Sequence, residues 1–118
     1  MIFDSATFHS ISPQLLLDTH DKQERYIEEY AISGATEALK KKEYREKKSA
    51  LIKEARKNGE PVSISVDIAR GDSADARYEY DLATINKNKT KMLVEACREK
   101  LFTIRHLNNS IEGVIKTS

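Results

Sequence analysis

Two long helix-forming stretches, residues 13–57 and 73–113, flank a short middle rich in Gly, Pro and Ser, and this arrangement constrains the fold more than any other feature. Gly and Pro are scarce in both stretches, while charged residues make up 33% of the chain, which favours helices with solvated, ion-paired faces over a sheet. At 118 residues the chain is one domain, with room for a modest core. The expected fold is therefore all-α: a long antiparallel helical hairpin, coiled-coil-like, with a short irregular or strand-like connector. Within it, residues 1–12 form an N-terminal arm, 13–57 the first helix, 58–72 the connector and 73–113 the second helix.

Local signals mark these boundaries. Ser12-Pro13 reads as an N-cap followed by proline at the first helical position. Asn58-Gly59 with Pro61 close behind reads as a helix stop. Between them, Leu16, Ile27, Ala31, Gly34 or Ala35, and Ala38 make an apolar stripe, flanked by Tyr26, Tyr30 and Tyr44, with Leu51, Ile52 and Ala55 at the far end. Gly34 costs a helix interior about 1 kcal/mol against Ala, so either a close helix–helix approach or a kink is expected there. In the middle, Val62, Ile64, Val66 and Ile68 alternate with polar residues, which suits a short strand; one or two helical turns capped by Ser63 is the alternative. Gly71-Asp72-Ser73 reads as a break and a new N-cap. The second helix is the better patterned, with Leu82, Ile85, Leu93, Cys97, Leu101, Ile104, Ile111 and Ile115 at 3–4 spacing and Met92, Ala96, Phe102 and Leu107 widening the band.

The net charge of +1 conceals blocks: 40–57 carries nine bases and three acids, whereas 58–82 carries six acids and two bases. A turn near Ser65 would set Tyr44 opposite Asn86, Lys41 opposite Lys89 and Gly34 opposite Ala96. Most blocks then meet their opposites, but Lys40, Lys41 and Lys42 would meet Lys87, Lys89 and Lys91. Like charges facing each other are destabilising, and the conflict points to an anionic partner. With Tyr44 able to stack on bases, these lysines are the candidate single-stranded DNA contacts. An ordinary solvated helix face is the plain alternative.

Enzyme chemistry finds no support: there is no glycine-rich phosphate loop, no His-Glu-x-x-His, no Cys-x-x-Cys and no nucleophile elbow. No cofactor or metal is expected; His20, His106 and Asp21 could approach each other, but polar interface residues are the simpler reading. Cys97, the single cysteine, reads as a small core residue. No apolar run approaches ~18 residues and no basic leader opens the chain, so a cytoplasmic protein with no membrane partner is expected.

The segment Lys100-Leu101-Phe102-Thr103-Ile104-Arg105-His106-Leu107 resembles the C-terminal helix of the phage recombination mediators of the UvsY family. In that family this segment reads basic, aromatic, Ala, Ile, basic, His, Ile, and Phe102, Ile104, Arg105, His106 and Leu107 stand at matching positions. The resemblance covers about eight residues, and the alternating connector has no counterpart in the family pattern. It implies a non-enzymatic, phage-encoded accessory protein acting in the host cytoplasm. Such a protein is a homo-oligomer that binds single-stranded DNA and serves a recombinase against a single-strand-binding protein. Phe102, Ile104 and Leu107, with Ile111 beside them, would be assembly residues. The alternative is a helical-hairpin protein–protein module: an adaptor, a host-factor inhibitor or a virion component.

Overall fold

A computed structural model of the protein describes the backbone of residues 5–117 and the side chains of residues 13–113. Three helices follow one another: α1 (Ser5–Lys57), α2 (Val62–Asp72) and α3 (Ala74–Thr117). The all-helical hairpin architecture is as expected, and no strand occurs among the described residues. Two compact units share the long helices. One comprises residues 1–30 with 90–118, the other residues 31–89.

The chain reverses where the residue types demand it. At the end of α1 the Gly59 N–H donates to the Arg56 carbonyl at 3.0 Å and the Glu60 N–H to the Ala55 carbonyl at 3.1 Å. This pair of bonds is the Schellman arrangement, and it requires Gly59 to adopt the left-handed φ of +91° that only glycine tolerates cheaply. Pro61 then opens α2 with its carbonyl, which accepts the Ser65 N–H at 2.9 Å. The reversal thus lies at Gly59–Pro61 rather than at Ser65, and Ser65 already belongs to the returning helix.

The connector is a helix, not a strand. A lone strand leaves both backbone edges unpaired, whereas a helix satisfies them internally. In α2 Ser65 and Ala69, four apart, face inward with no exposed surface, and Val62, Ile64 and Ile68 stay exposed. Only Ser73 separates α2 from α3. Its N–H still donates to Ala69 and its carbonyl still accepts from Arg77, each at 3.0 Å, so the helical ladder nearly continues through it. Its hydroxyl does not cap α3; it donates back to the Ala69 carbonyl. At the other end, α1 begins upstream of Ser12, with Pro13 inside the helix. A proline removes one rung and crowds the carbonyl four residues back, but the neighbouring carbonyls keep their donors, so the helix can run through it. The side chains of the expected N-terminal arm lie outside the described residues.

Within each unit the less exposed positions recur every seven residues, the spacing of a coiled-coil seam. In the 31–89 unit, α1 contributes Glu37, Tyr44 and Leu51 in one row and Lys41, Lys48 and Ala55 in another. The returning helices contribute Val66, Ser73, Tyr80 and Lys87, beside Ala69, Ala76 and Ala83. In the other unit, Leu16, Gln23 and Tyr30 on α1 share a row, while α3 supplies Thr90, Cys97, Ile104 and Ile111 beside Val94, Leu101 and Asn108. Cys97, Leu101 and Ile104 form the buried apolar centre of this second unit, as their spacing predicts.

The seam of the 31–89 unit is polar and small instead. Ala55 and Ala69 are its buried hydrophobics, whereas Leu82 and Ile85, expected in the core, are 47% and 63% exposed. Hydroxyl groups can line a dry seam because they bond their own helix. Ser65 Oγ donates to the Pro61 carbonyl at 2.8 Å, and Ser73 Oγ to that of Ala69. Among the described residues no buried side-chain nitrogen or oxygen lacks a partner.

The close helix–helix approach, one of the two expectations for Gly34, does not occur. Ala31, Ala35 and Ala38 are exposed, Ser33 is the buried member of the run, and a Cβ on Gly34 would meet nothing within 4 Å. Close approach therefore does not explain the glycine. Replacing it by alanine is expected to stabilise the protein by about 1 kcal/mol, the difference in helix propensity. Gly59→Ala is expected to destabilise by about the same amount, the cost of forcing a Cβ into left-handed backbone. Urea midpoints of the two variants, moving in opposite directions from wild type, check both.

Candidate nucleic-acid interface

The shift in the reversal point redistributes the charges. Lys40 Nζ lies 3.2 Å from Glu79 and 3.4 Å from Glu43. Lys87 Nζ donates to Glu37 Oε1 at 3.1 Å. Both cations expected to confront each other are thus matched by acids, and Asn86 donates to Ser33 Oγ at 3.2 Å rather than facing Tyr44. The hydrogen bond to Glu79, then the field of Glu43, raises the Lys40 pKa above its ordinary value. The bond from Lys87, then one from Thr84, lowers the Glu37 pKa. Both pairs remain partly solvated, so they specify register more than they add stability.

The remaining candidate lysines are dispersed. Lys41 is half-buried in the seam, Lys42 is exposed with Nζ 3.9 Å from Glu46, and Lys89 is exposed. Lys91 is exposed and belongs to the other unit. The like-against-like confrontation expected of Lys40 and Lys87 therefore does not occur. Farther along α3, Ile104 is 5% exposed and packs within the chain, and Ile111 is half-buried. Phe102 and Leu107 are 73% and 54% exposed. His20 Nε2 sits 3.4 Å from an Arg105 guanidinium nitrogen, and His106 is exposed. Among the described residues no three His, Cys, Asp or Glu side chains gather as metal ligands would.

Tyr44 is the candidate residue around which a site does assemble. The Arg77 guanidinium carbon lies 5.5 Å from the Tyr44 ring centre and 5.8 Å from that of Tyr80, and the two rings are 6.3 Å apart. Lys48 Nζ is 5.9 Å from the Tyr44 ring on the same helix. These distances are within cation–π range. Arg77 Nε also donates to Asp81 Oδ1 at 3.1 Å, and Tyr44 followed by Asp81 raises the Arg77 pKa further. Next to this cluster an open recess is lined by Tyr44 and Lys48 from α1, Arg70 from α2, and Ala74, Arg77, Tyr78 and Asp81 from α3.

The recess gathers three cations and one carboxylate against two tyrosines. Fixed cations beside aromatic faces suit a phosphate-linked strand, whose backbone seeks charge and whose bases seek a stacking surface. Lys48, Arg70, Arg77 and Tyr78 escape a reading based on lysine runs. Their signal in the sequence is the Arg77-Tyr78-Glu79-Tyr80-Asp81 cluster, and it becomes meaningful only once Tyr44 is placed opposite Tyr80.

Compared with protein-family models, with curated proteins and with solved structures, the chain matches none.

The Glu37–Lys87 pair yields a pH test. Because the Glu37 pKa is lowered in the folded state, the stabilisation is full above the ordinary carboxylate value of about 4.3 and is lost as pH falls through the lowered value. The stability gap between wild type and Glu37→Gln is therefore expected to be constant near neutrality and to narrow in acid. Urea denaturation of both proteins across that range measures it.

Proposed function

We propose that the protein is a non-enzymatic accessory factor of DNA metabolism that holds single-stranded nucleic acid against the 31–89 unit. The strand would run over the basic face of α1 and lodge bases in the recess between Tyr44 and Tyr78. The observation that carries this reading is the gathering of Lys48, Arg70 and Arg77 around those two rings. Lys42, Arg45, Lys47, Lys53, Arg56 and Lys57 add further exposed cations along α1. No base-reading motif accompanies them, so binding is to backbone and stacked bases and is tolerant of sequence.

A short site of this kind is weak by itself. Homo-oligomerisation through exposed side chains such as Phe102 and Leu107 would multiply it by raising effective concentration. This is also what the UvsY-like segment implies, along with service to a recombinase competing with a single-strand-binding protein. The second reading, a protein–protein module, is favoured by a separate observation: large apolar side chains from Leu17 to Leu107 stand exposed along all three helices. A mediator needs both kinds of surface, so the readings are compatible.

Fluorescence anisotropy with a labelled single-stranded oligonucleotide across a salt series tests the proposal. Log affinity should fall linearly with log salt, and the doubly neutralised variant Lys48→Gln, Arg70→Gln should flatten the slope by about 0.7 per cation removed. Replacing Lys40 and Lys87, which already hold glutamates, should change it less. Affinity indifferent to salt, or unchanged in the Lys48, Arg70 variant, would sink the proposal.

A further inference from the structure

The helices that return from the Gly59 turn carry a second periodic stripe, distinct from the rows buried against α1. Ile64, Gly71, Tyr78 and Ile85 follow one another at seven-residue steps, and Ile68, Asp75 and Leu82 follow at the same step four residues on. Together they alternate four and three residues apart, the spacing of an apolar coiled-coil seam. The seam that packs on α1 uses other positions of the same helices, among them Ala69, Ala76, Tyr80 and Ala83. On the second stripe Ile64 is 46%, Ile68 39%, Tyr78 64%, Leu82 47% and Ile85 63% exposed. The near-continuous ladder through Ser73 keeps the two parts of this stripe in one phase.

Charge says what covers it. Between Val62 and Asn86 the acids are Asp67, Asp72, Asp75, Glu79 and Asp81, and each stands within the stripe or at a position directly beside it. The two bases of the same stretch, Arg70 and Arg77, stand on the far side and line the recess shared with α1. Glu79 and Asp81 hold Lys40 and Arg77, whereas Asp67, Asp72 and Asp75 are exposed and hold no cation among the described residues. A second copy of this stripe would bring acid against acid, which is unfavourable along a helical interface. Asp75 sharpens the point because it lies in the stripe itself. Covered by an apolar side chain it would be a buried unpaired charge, but covered beside a lysine or arginine it is compensated.

The geometry points to a docking site for a basic amphipathic helix of another protein, laid along the Ile64–Ile85 stripe of α2 and α3. Its apolar residues would fill the row around Leu82, with the gap at Gly71 admitting a large side chain, since nothing lies within 4 Å of a Cβ built there. Its lysines or arginines would flank that row and meet Asp67, Asp72 and Asp75. This surface goes beyond the nucleic-acid reading and does not depend on it, because its residues other than Tyr78 and Asp81 lie outside the recess.

The test uses the full chain and a labelled synthetic helix of about three heptads, with leucine on the seam and lysine on the flanks. Two controls accompany it: the same peptide with glutamate flanks, and a scrambled peptide of the same composition without heptad spacing. The lysine-flanked peptide should bind saturably in anisotropy, and both controls should bind at least about tenfold more weakly. Leu82→Glu with Ile85→Glu, both at exposed positions, should cut binding by roughly tenfold or more, as loss of central anchors does. Circular dichroism of that variant should match wild type. Equal binding of the scrambled peptide, or binding unchanged in the Leu82, Ile85 variant, would overturn the proposal. So would a chain that sediments as a dimer and dissociates on the Leu82→Glu change, since a second copy would then occupy the stripe. Oligonucleotide affinity is read on the same proteins. The Leu82, Ile85 variant should keep it and the Lys48, Arg70 variant should keep peptide binding, so failure of either surface is told from failure of the other.

Discussion

The hydroxyl that bonds its own helix is the interaction on which the 31–89 unit depends. Ser65 returns its proton to Pro61 and Ser73 to Ala69, and neither asks anything of α1. Each can therefore be buried without a partner across the seam. Both serines are fully buried, so a leucine at either position would have to displace its neighbours. The ion pairs Lys40–Glu79 and Lys87–Glu37 then fix which turn of one helix faces which turn of the other. Register, recess and outer stripe all follow from that phase.

Burying alanine, serine and tyrosine edges rather than leucine has a thermodynamic consequence. Apolar burial contributes about 25 cal/mol per Å², and Ala55 and Ala69 remove little apolar area from water. Where the seam turns apolar, around Cys97, Leu101 and Ile104, the balance is more favourable. Two-helix packing on this scale is rarely sufficient unaided. The large side chains that α1, α2 and α3 leave in solvent are the natural currency of further association.

What could be read from the residue order was what depends on local chemistry. Asn58, Gly59 and Pro61 announce a reversal because a left-handed residue and a missing donor act within a few positions. Cys97, Leu101 and Ile104 announce a core because their spacing and size agree. Leu82 and Ile85 misled because size was taken for burial, when the close seam selected Ala69, Ala76 and Ala83 and left the large residues outside. Helical pitch alone does not say which of two faces turns inward. The expected clash of lysine against lysine vanished for a related reason. Its existence rested on the reversal point, and placing that point at Ser65 rather than Gly59–Pro61 set lysines against lysines where glutamates stand. Tyr44 lies beside cations in the observed register too.

The near-continuity of α2 and α3 through Ser73 sets two faces on one shaft. The face toward α1 and the face toward solvent are tied to the same succession of residues, each advancing about 100° around the axis. An insertion or deletion of one residue between Ser65 and Ile85 would turn every later position on both faces by that angle at once. Neither face could be rescued without spoiling the other, so this stretch can change length only by about seven residues at a time. Point substitution, by contrast, is free to rewrite one face and leave its opposite untouched.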